Sequence, residues 1–198
     1  MPRFTTNLLL QDLYNDVDAL QRIIEQEFRP LTEAQLRQAP APDQWSIVQC
    51  LDHLSSYGFY YLPLMEKSIQ TGQQQCLLPQ ETFTSGWLGN YFAETMQPGA
   101  DGSIRLKMKA VKNHTPQQQL DTEAVLTEFL RQQERLLQLL ERAQQVDISK
   151  LRIPISIARW IRLSLGDTFR FLIAHEQRHV LQAQRVRHQL FSQRAFSE

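Results

Sequence analysis

The sequence predicts an all-α protein, a four-helix bundle with a long crossover between its second and third long helices. Three observations predict it. Four segments carry apolar residues at the 3–4 spacing of an amphipathic helix, almost nothing alternates with the period of two that marks a strand, and the helical pattern lapses once, over 71–116. With 198 residues and 42% hydrophobic content the chain can fill one core, so a single domain over 1–198 is expected.

The first helix is expected over 6–28, on a seam of Leu10, Leu13, Val17, Leu20 and Ile24, and Pro30, which has no N–H to give, ends it. A further turn of helix over 32–38 leads to Ala39-Pro40-Ala41-Pro42, a stiff connection. Ser46 and Gln49 have the spacing of a capping box and Trp45 stands where a hydrophobic staple forms, so a second long helix opens here and should reach about residue 69. Glutamine, glycine, proline and threonine dominate 71–116, where only 86–92 reads as a short helix or packed aromatic turn. Connections of that length are functional covers or disordered linkers, and the aromatic residues favour a packed cover. Its Lys107, Lys109 and Lys112 read as solvated. The third helix, 122–145, sets Val125, Leu126, Phe129, Leu130, Leu136, Leu137 and Leu140 on adjoining stripes. Ile153-Pro154-Ile155 reads as extended, and Gly166-Asp167 opens the fourth helix with Asp167 as N-cap. Little else reads as strand, and the expected packing is of the antiparallel type.

Composition excludes several classes. Basic and acidic residues balance at 21 each, so no global field draws the chain to nucleic acid or anionic membrane. From Lys150 onward nine Lys/Arg face three Asp/Glu, which reads as a basic outer face on the last helix. Arg170, Arg178, Arg185 and Arg187 lie there without a nucleic-acid recognition motif, so a nucleic-acid role ranks last. Cys50 and Cys76 are too few and too separated for a disulfide framework or zinc ribbon. The N-terminal apolar stretch, interrupted by Gln11 and Asp12, is neither a signal peptide nor a membrane span, so a cytoplasmic protein is expected.

The chemistry concentrates in His175-Glu176-Gln177-Arg178-His179. Residues four apart lie one above the other on a helix face, so both imidazoles can reach one ion. The seam through them reads Thr168, Leu172, His175, His179, Gln182, Val186, and the comparable seam on the second helix reads Cys50, His53, Tyr57, Tyr60, Leu64. Buried imidazoles lose hydrogen bonds to water at a cost of about 1–3 kcal/mol each, so something must satisfy them. Three neutral imidazoles, from His53, His175 and His179, would give zinc, nickel or a similar divalent ion three ligands and leave a position for water or substrate. A zinc-protease reading fails for want of a third ligand downstream, since the metzincin spacing puts Gln182 and Arg185 where glycine and histidine belong and the last carboxylate is Glu198. Glu176 also points about 100° around the helix from His175. It is expected to accept a hydrogen bond from a ligand imidazole or to pair with an arginine. His114 and His188 read as exposed, and Cys50 as a small buried thiol.

Trp45-Ser46, His53-Leu54 on the second helix, the long connection after it, and His175, His179 and Gln182 on the fourth together resemble the DinB-like, or YfiT-like, family of metal-dependent enzymes, over essentially the whole chain. The resemblance implies a four-helix bundle with a three-histidine divalent-metal site at His53, His175 and His179, and a homodimer. Some members of that family are thiol transferases using bacillithiol, mycothiol or glutathione, one branch isomerises, and many have no known reaction. The family name implies no DNA chemistry. The expectation is thus an enzyme of the thiol S-transferase or hydrolase type acting on a small molecule, with Glu176, Gln182 and Tyr57 as candidate catalytic or positioning groups. The competing class is a non-catalytic bundle whose ion is structural or absent.

Overall fold

The computed structural model describes residues 1–104 and 111–191, so Lys107, Lys109 and Glu198 of the sequence reading lie outside the described residues. Four long helices form the bundle: α1 (Thr6–Ile23), α3 (Ile47–Gln74), α5 (Thr122–Ala143) and α6 (Leu165–Phe191), with short helices α2 (Glu33–Arg37) and α4 (Trp87–Met96) between them. The predicted seam of α1 is buried from Leu10 to Ile24, and a wider π-type turn over Ile24–Phe28 brings Phe28 into the core as well. Ser46 and Gln49 make the reciprocal capping box that opens α3, and Thr32 and Gln35 make another at α2. α3 runs past its expected end near residue 69 to Gln74, carrying Pro63 within it.

Side chains that join the helices give their directions. Gln132 of α5 bonds Ser55 of α3, Arg135 and Arg142 reach Glu66, and Gln145 meets Gln73, so α5 runs parallel to α3. Asp16 bonds Gln177, and Glu27 takes Gln184 and Arg187, so α1 is parallel to α6. His53 lies against His175 and Tyr61 against Phe171, so α3 and α6 are antiparallel. α1 packs on α5 and α6, as does α3. The antiparallel packing expected from sequence is therefore corrected: the long crossover returns the chain to the end where α3 began, and α5 then follows α3 in the same direction.

The described part of that crossover packs on the bundle, but through Phe83, Ala93 and Met96 more than through the aromatic residues of 86–92, of which Trp87 and Tyr91 are exposed. α4 lies on α6, and β2 (Thr82–Thr84) pairs antiparallel with β1 (Arg3–Thr5), setting Phe4 opposite Phe83. A second hairpin, β3 (Arg152–Ile155) with β4 (Ala158–Ser164), precedes α6. The extended Ile153-Pro154-Ile155 was expected; the other three strands were not. Asp167 is not the N-cap of α6. Ser164 takes that place, its Oγ accepting from Asp167 N–H at 3.1 Å, while the Asp167 carboxylate accepts from Gly86 N–H at 2.9 Å and so ties the residue that precedes α4 to α6. Ser85, Ser164 and Arg170 bond the same carboxylate. Among the described residues no helix is long and apolar enough to cross a membrane.

Candidate metal centre

The start of α3 and the middle of α6 bring three imidazoles together. The capping box fixes the first turn of α3, which puts His53 two turns in, facing α6. On α6 the four-residue spacing stacks His175 and His179 along one face, as the sequence required. Their ligand atoms lie within 4.8 Å of one another, and among the described residues no other His, Cys, Asp or Glu belongs to the group. His53 Nε2 is 3.2 Å from His175 Nε2. Nitrogens bound to one zinc at 2.0–2.1 Å in tetrahedral geometry stand roughly 3.3 Å apart, so this pair already has the spacing of shared coordination.

Hydrogen bonds decide which nitrogens face inward. His53 Nδ1 lies 2.6 Å from the His114 carbonyl oxygen, which only accepts, so Nδ1 carries the proton and Nε2 keeps its lone pair. His179 Nδ1 bonds Gln182 Oε1 at 2.9 Å and leaves its Nε2 in the same state. His175 Nδ1 is buried and has no hydrogen-bond partner. Burial pushes the His53 pKa down to about 4, against the His114 hydrogen bond, and that of His179 down to about 3. His175 is also held well below 6.5, by burial first and then by the neighbouring imidazoles. All three are neutral at physiological pH, the protonation state a metal requires. Three ring nitrogens gathered in one group, tautomers fixed at His53 and His179, and neutral rings make a donor set that fits a divalent ion. In the metal-free protein the short His53–His175 contact is a hydrogen bond in which His175 Nε2–H donates to the bare His53 Nε2.

Aromatic rings wall the cluster. Trp45 lies 4.8 Å from the His53 ring and 5.8 Å from that of His179, bridging both helices, so its role exceeds the expected staple. Tyr57 sits 4.4 Å from His175 and Phe171 stacks on the same ring at 6.0 Å. The Tyr57 hydroxyl is pushed up to about 12 by burial and stays protonated. Tyr60 and Tyr61 spend their hydroxyls on the β3–β4 turn, at Ile155 and Ser156.

The structure thus gathers His53, His175, His179, Tyr57 and Gln182. Glu176 is placed elsewhere. Its Oε1 accepts from Gln133 of α5 at 3.2 Å and its Oε2 has no partner, so the expected bond to a ligand imidazole or an arginine is corrected. Burial raises its pKa to about 8, leaving it largely protonated at pH 7. Cys50 is fully buried with its thiol pushed up to about 12, a core group as expected, and His188 is exposed. His114 is not exposed as the sequence suggested: it is buried at 7% exposure beside His53. No periodicity signals it, because it belongs to the crossover and not to a helix seam. The α6 arginines work within the fold, Arg170 on Ser85 and Asn90, Arg178 on Thr95, Arg185 on Gly102 and Arg187 on Glu27.

Comparison with known proteins agrees with the fold. No curated protein matches the chain. Among solved structures, YfiT from Bacillus subtilis superposes with a TM-score of 0.55 at 13% identity, over 94% of this chain and 87% of that one. It is described as a probable metal-dependent hydrolase with an unusual four-helix bundle topology. The sequence model of the DinB superfamily matches residues 17–183, from within α1 to beyond His179, and with that span covered the chain belongs to the DinB superfamily.

Proposed function

We propose that this protein is a metal-dependent enzyme of the hydrolase or thiol S-transferase type, with a divalent ion, zinc or nickel, held by His53, His175 and His179. The observation that carries the reading is the set of three neutral imidazoles with no fourth donor in the group among the described residues. Structural zinc sites close with four protein ligands, whereas catalytic ones keep three and an open position. That contrast weighs against a non-catalytic bundle with a structural ion. When bound, such an ion acts as a Lewis acid that acidifies a water or a thiol at the open position.

The protein's own residues divide the remaining work. His114 and Gln182 orient two of the rings, and Trp45, Tyr57 and Phe171 keep bulk water from them. Among the described residues no carboxylate stands at the cluster to take a proton, since Glu176, a candidate catalytic group from the sequence, bonds Gln133. This favours a nucleophile acidified by the ion itself, as water or a low-molecular-weight thiol would be. The same reading takes the protein as cytoplasmic and homodimeric, acting on a small molecule and not on nucleic acid or membrane.

The test starts from untagged protein, reconstituted with zinc or nickel and subjected to elemental analysis beside His53→Ala and His175→Ala. About one ion per chain is expected, lost in both variants while helical circular dichroism is kept. Ester and amide hydrolysis, and conjugation of an electrophile by bacillithiol, mycothiol or glutathione, then separate the two reaction types. Absence of metal after reconstitution, or metal content indifferent to His53→Ala, overturns the site.

A further inference from the structure

His53 owes its orientation to a residue outside the bundle. At the end of the crossover, the turn Lys112–His114 returns to α3 and bonds it over a single helical turn: Gln117 N–H donates to Asp52, the His114 carbonyl accepts from His53, and the His114 side chain reaches Ser56. Ser56 has one hydroxyl proton, and it goes to the His53 carbonyl, 2.6 Å away, because a carbonyl can only accept. Ser56 Oγ must then accept from His114 Nδ1–H at 2.9 Å. The His114 ring lies flat against Tyr57, with centroids 3.9 Å apart, and is buried although Asn113 and Thr115 beside it are exposed. The side chain is thereby held on two sides, and its own carbonyl is held with it.

We propose that His114 is a positioning residue for His53, its side chain pinning the end of the crossover to α3 so that its carbonyl keeps the His53 ring protonated at Nδ1 with Nε2 bare and turned to the cluster. The importance of His53 for metal rests on the reading above; the positioning itself does not. A neutral imidazole carries one proton, and if that proton sits on Nε2 the nitrogen cannot ligate. A carbonyl on an otherwise exposed turn would enforce the choice only if something anchored the turn. The Ser56 bond and the Tyr57 face supply the anchor. Through His114 the crossover thus contributes to the centre by orienting a ligand, and its docking on α3 sets how readily the site accepts an ion.

The test reads the tautomer directly. In metal-free protein labelled with ¹⁵N-histidine, long-range ¹H–¹⁵N correlation reports which nitrogen of His53 is protonated, and zinc affinity is measured separately by competition with a chelator. The parent should show His53 wholly in the Nδ1–H form. In His114→Ala and Ser56→Ala the Nε2–H form should appear, with zinc binding weaker by about 10–100-fold, the usual effect of losing a partner that orients a ligand. His114→Asn, which places an amide N–H where Nδ1 stood, should keep the parental tautomer and bind zinc nearly as well, a rescue that a general loss of packing would not give. If His114→Ala fails to fold, Ser56→Ala and His114→Asn carry the comparison. A His53 ring that stays wholly Nδ1-protonated in His114→Ala and Ser56→Ala overturns the proposal. A parent that shows the tautomer pattern and its shift but binds no zinc leaves the positioning intact and overturns the metal reading.

Discussion

Replacing Glu176 with glutamine is expected to stabilise the folded protein at high pH and to do nothing at low pH. The carboxyl is 3% exposed, with Gln133 on one oxygen and no partner on the other. Burial raises its pKa from 4.5 to about 8, and the Gln133 bond opposes only part of that rise. Between those values the folded chain holds a proton that the unfolded chain has released, so stability falls as pH rises through the window, and the loss is complete above the folded pKa. At 1.36 kcal/mol per pH unit the whole displacement is worth about 5 kcal/mol, of which about 3 kcal/mol has been lost by pH 7. Relaxation and water entry make both figures upper bounds. Glutamine keeps the size and the partner but does not titrate. Urea unfolding of metal-free parent and Glu176→Gln across this pH range should give equal stability near the acid end and a gap favouring the variant that widens to alkaline pH. A gap that stays flat with pH would mean that Glu176 is ionised or solvated in the folded chain, and the burial argument would fail. Metal content should be the same in both, because this carboxyl does not touch the imidazoles.

The buried histidines act with the opposite sign. Their folded pKa values, about 4 for His53 and about 3 for His179, lie below 6.5, so the unfolded chain takes up protons first and stability drops as pH falls from 6.5 toward 4. Measured in the Glu176→Gln background, where the opposing carboxyl is silent, this acid slope should become shallower on adding His179→Gln; an unchanged slope would contradict neutral burial. Gln182→Ala removes the oxygen that holds His179 Nδ1–H and should weaken zinc binding by about 10-fold or more in chelator competition, while circular dichroism stays the same. A Cβ at Gly89 would come within 2.3 Å of Asp167 Cγ, and Asp167 is held by Ser85, Gly86, Ser164 and Arg170. Gly89→Ala should therefore cost about 1–3 kcal/mol and lower Tm by several degrees in calorimetry. Gly86→Ala, whose nearest neighbour would be at 3.4 Å, should be milder, and equal Tm values in the two variants would refute the crowding argument.

The helices were legible because their signals are local. A seam such as Leu10, Leu13, Val17, Leu20 and Ile24 needs only the helix period to be read, and the Ser46–Gln49 box needs only three residues of spacing. The direction of packing was not legible, since it depends on where a crossover of some 45 residues returns, and no periodic signal within the crossover says so. The strands escaped for a related reason. β1 and β2 are three residues each and become strands only by pairing across the whole of α1, α2 and α3, so neither segment has the length to announce itself. β4 had a local signal in Trp160-Ile161-Arg162-Leu163, but its exposed Trp160 breaks the tidy alternation of a half-buried strand.

The same division runs through the centre. His175 and His179 are a helix-period pair, and His53 lies on a seam of its own, so their faces could be read from the sequence although the distance between the two helices could not. Glu176 shows the limit of neighbourhood in sequence. Next to one candidate ligand and three residues from another, it looked like their partner, yet the turn of about 100° per residue that separates it from His175 carries it to α5 and Gln133. His114 shows the converse. It stands 61 residues from His53, in a polar stretch with no seam, and still supplies the carbonyl that fixes the His53 ring. A ligand set built on helices follows the helix period and can be found from it, whereas the groups that orient those ligands arrive from wherever the chain folds back, here from the polar end of a connection, where the sequence reads as solvent-facing.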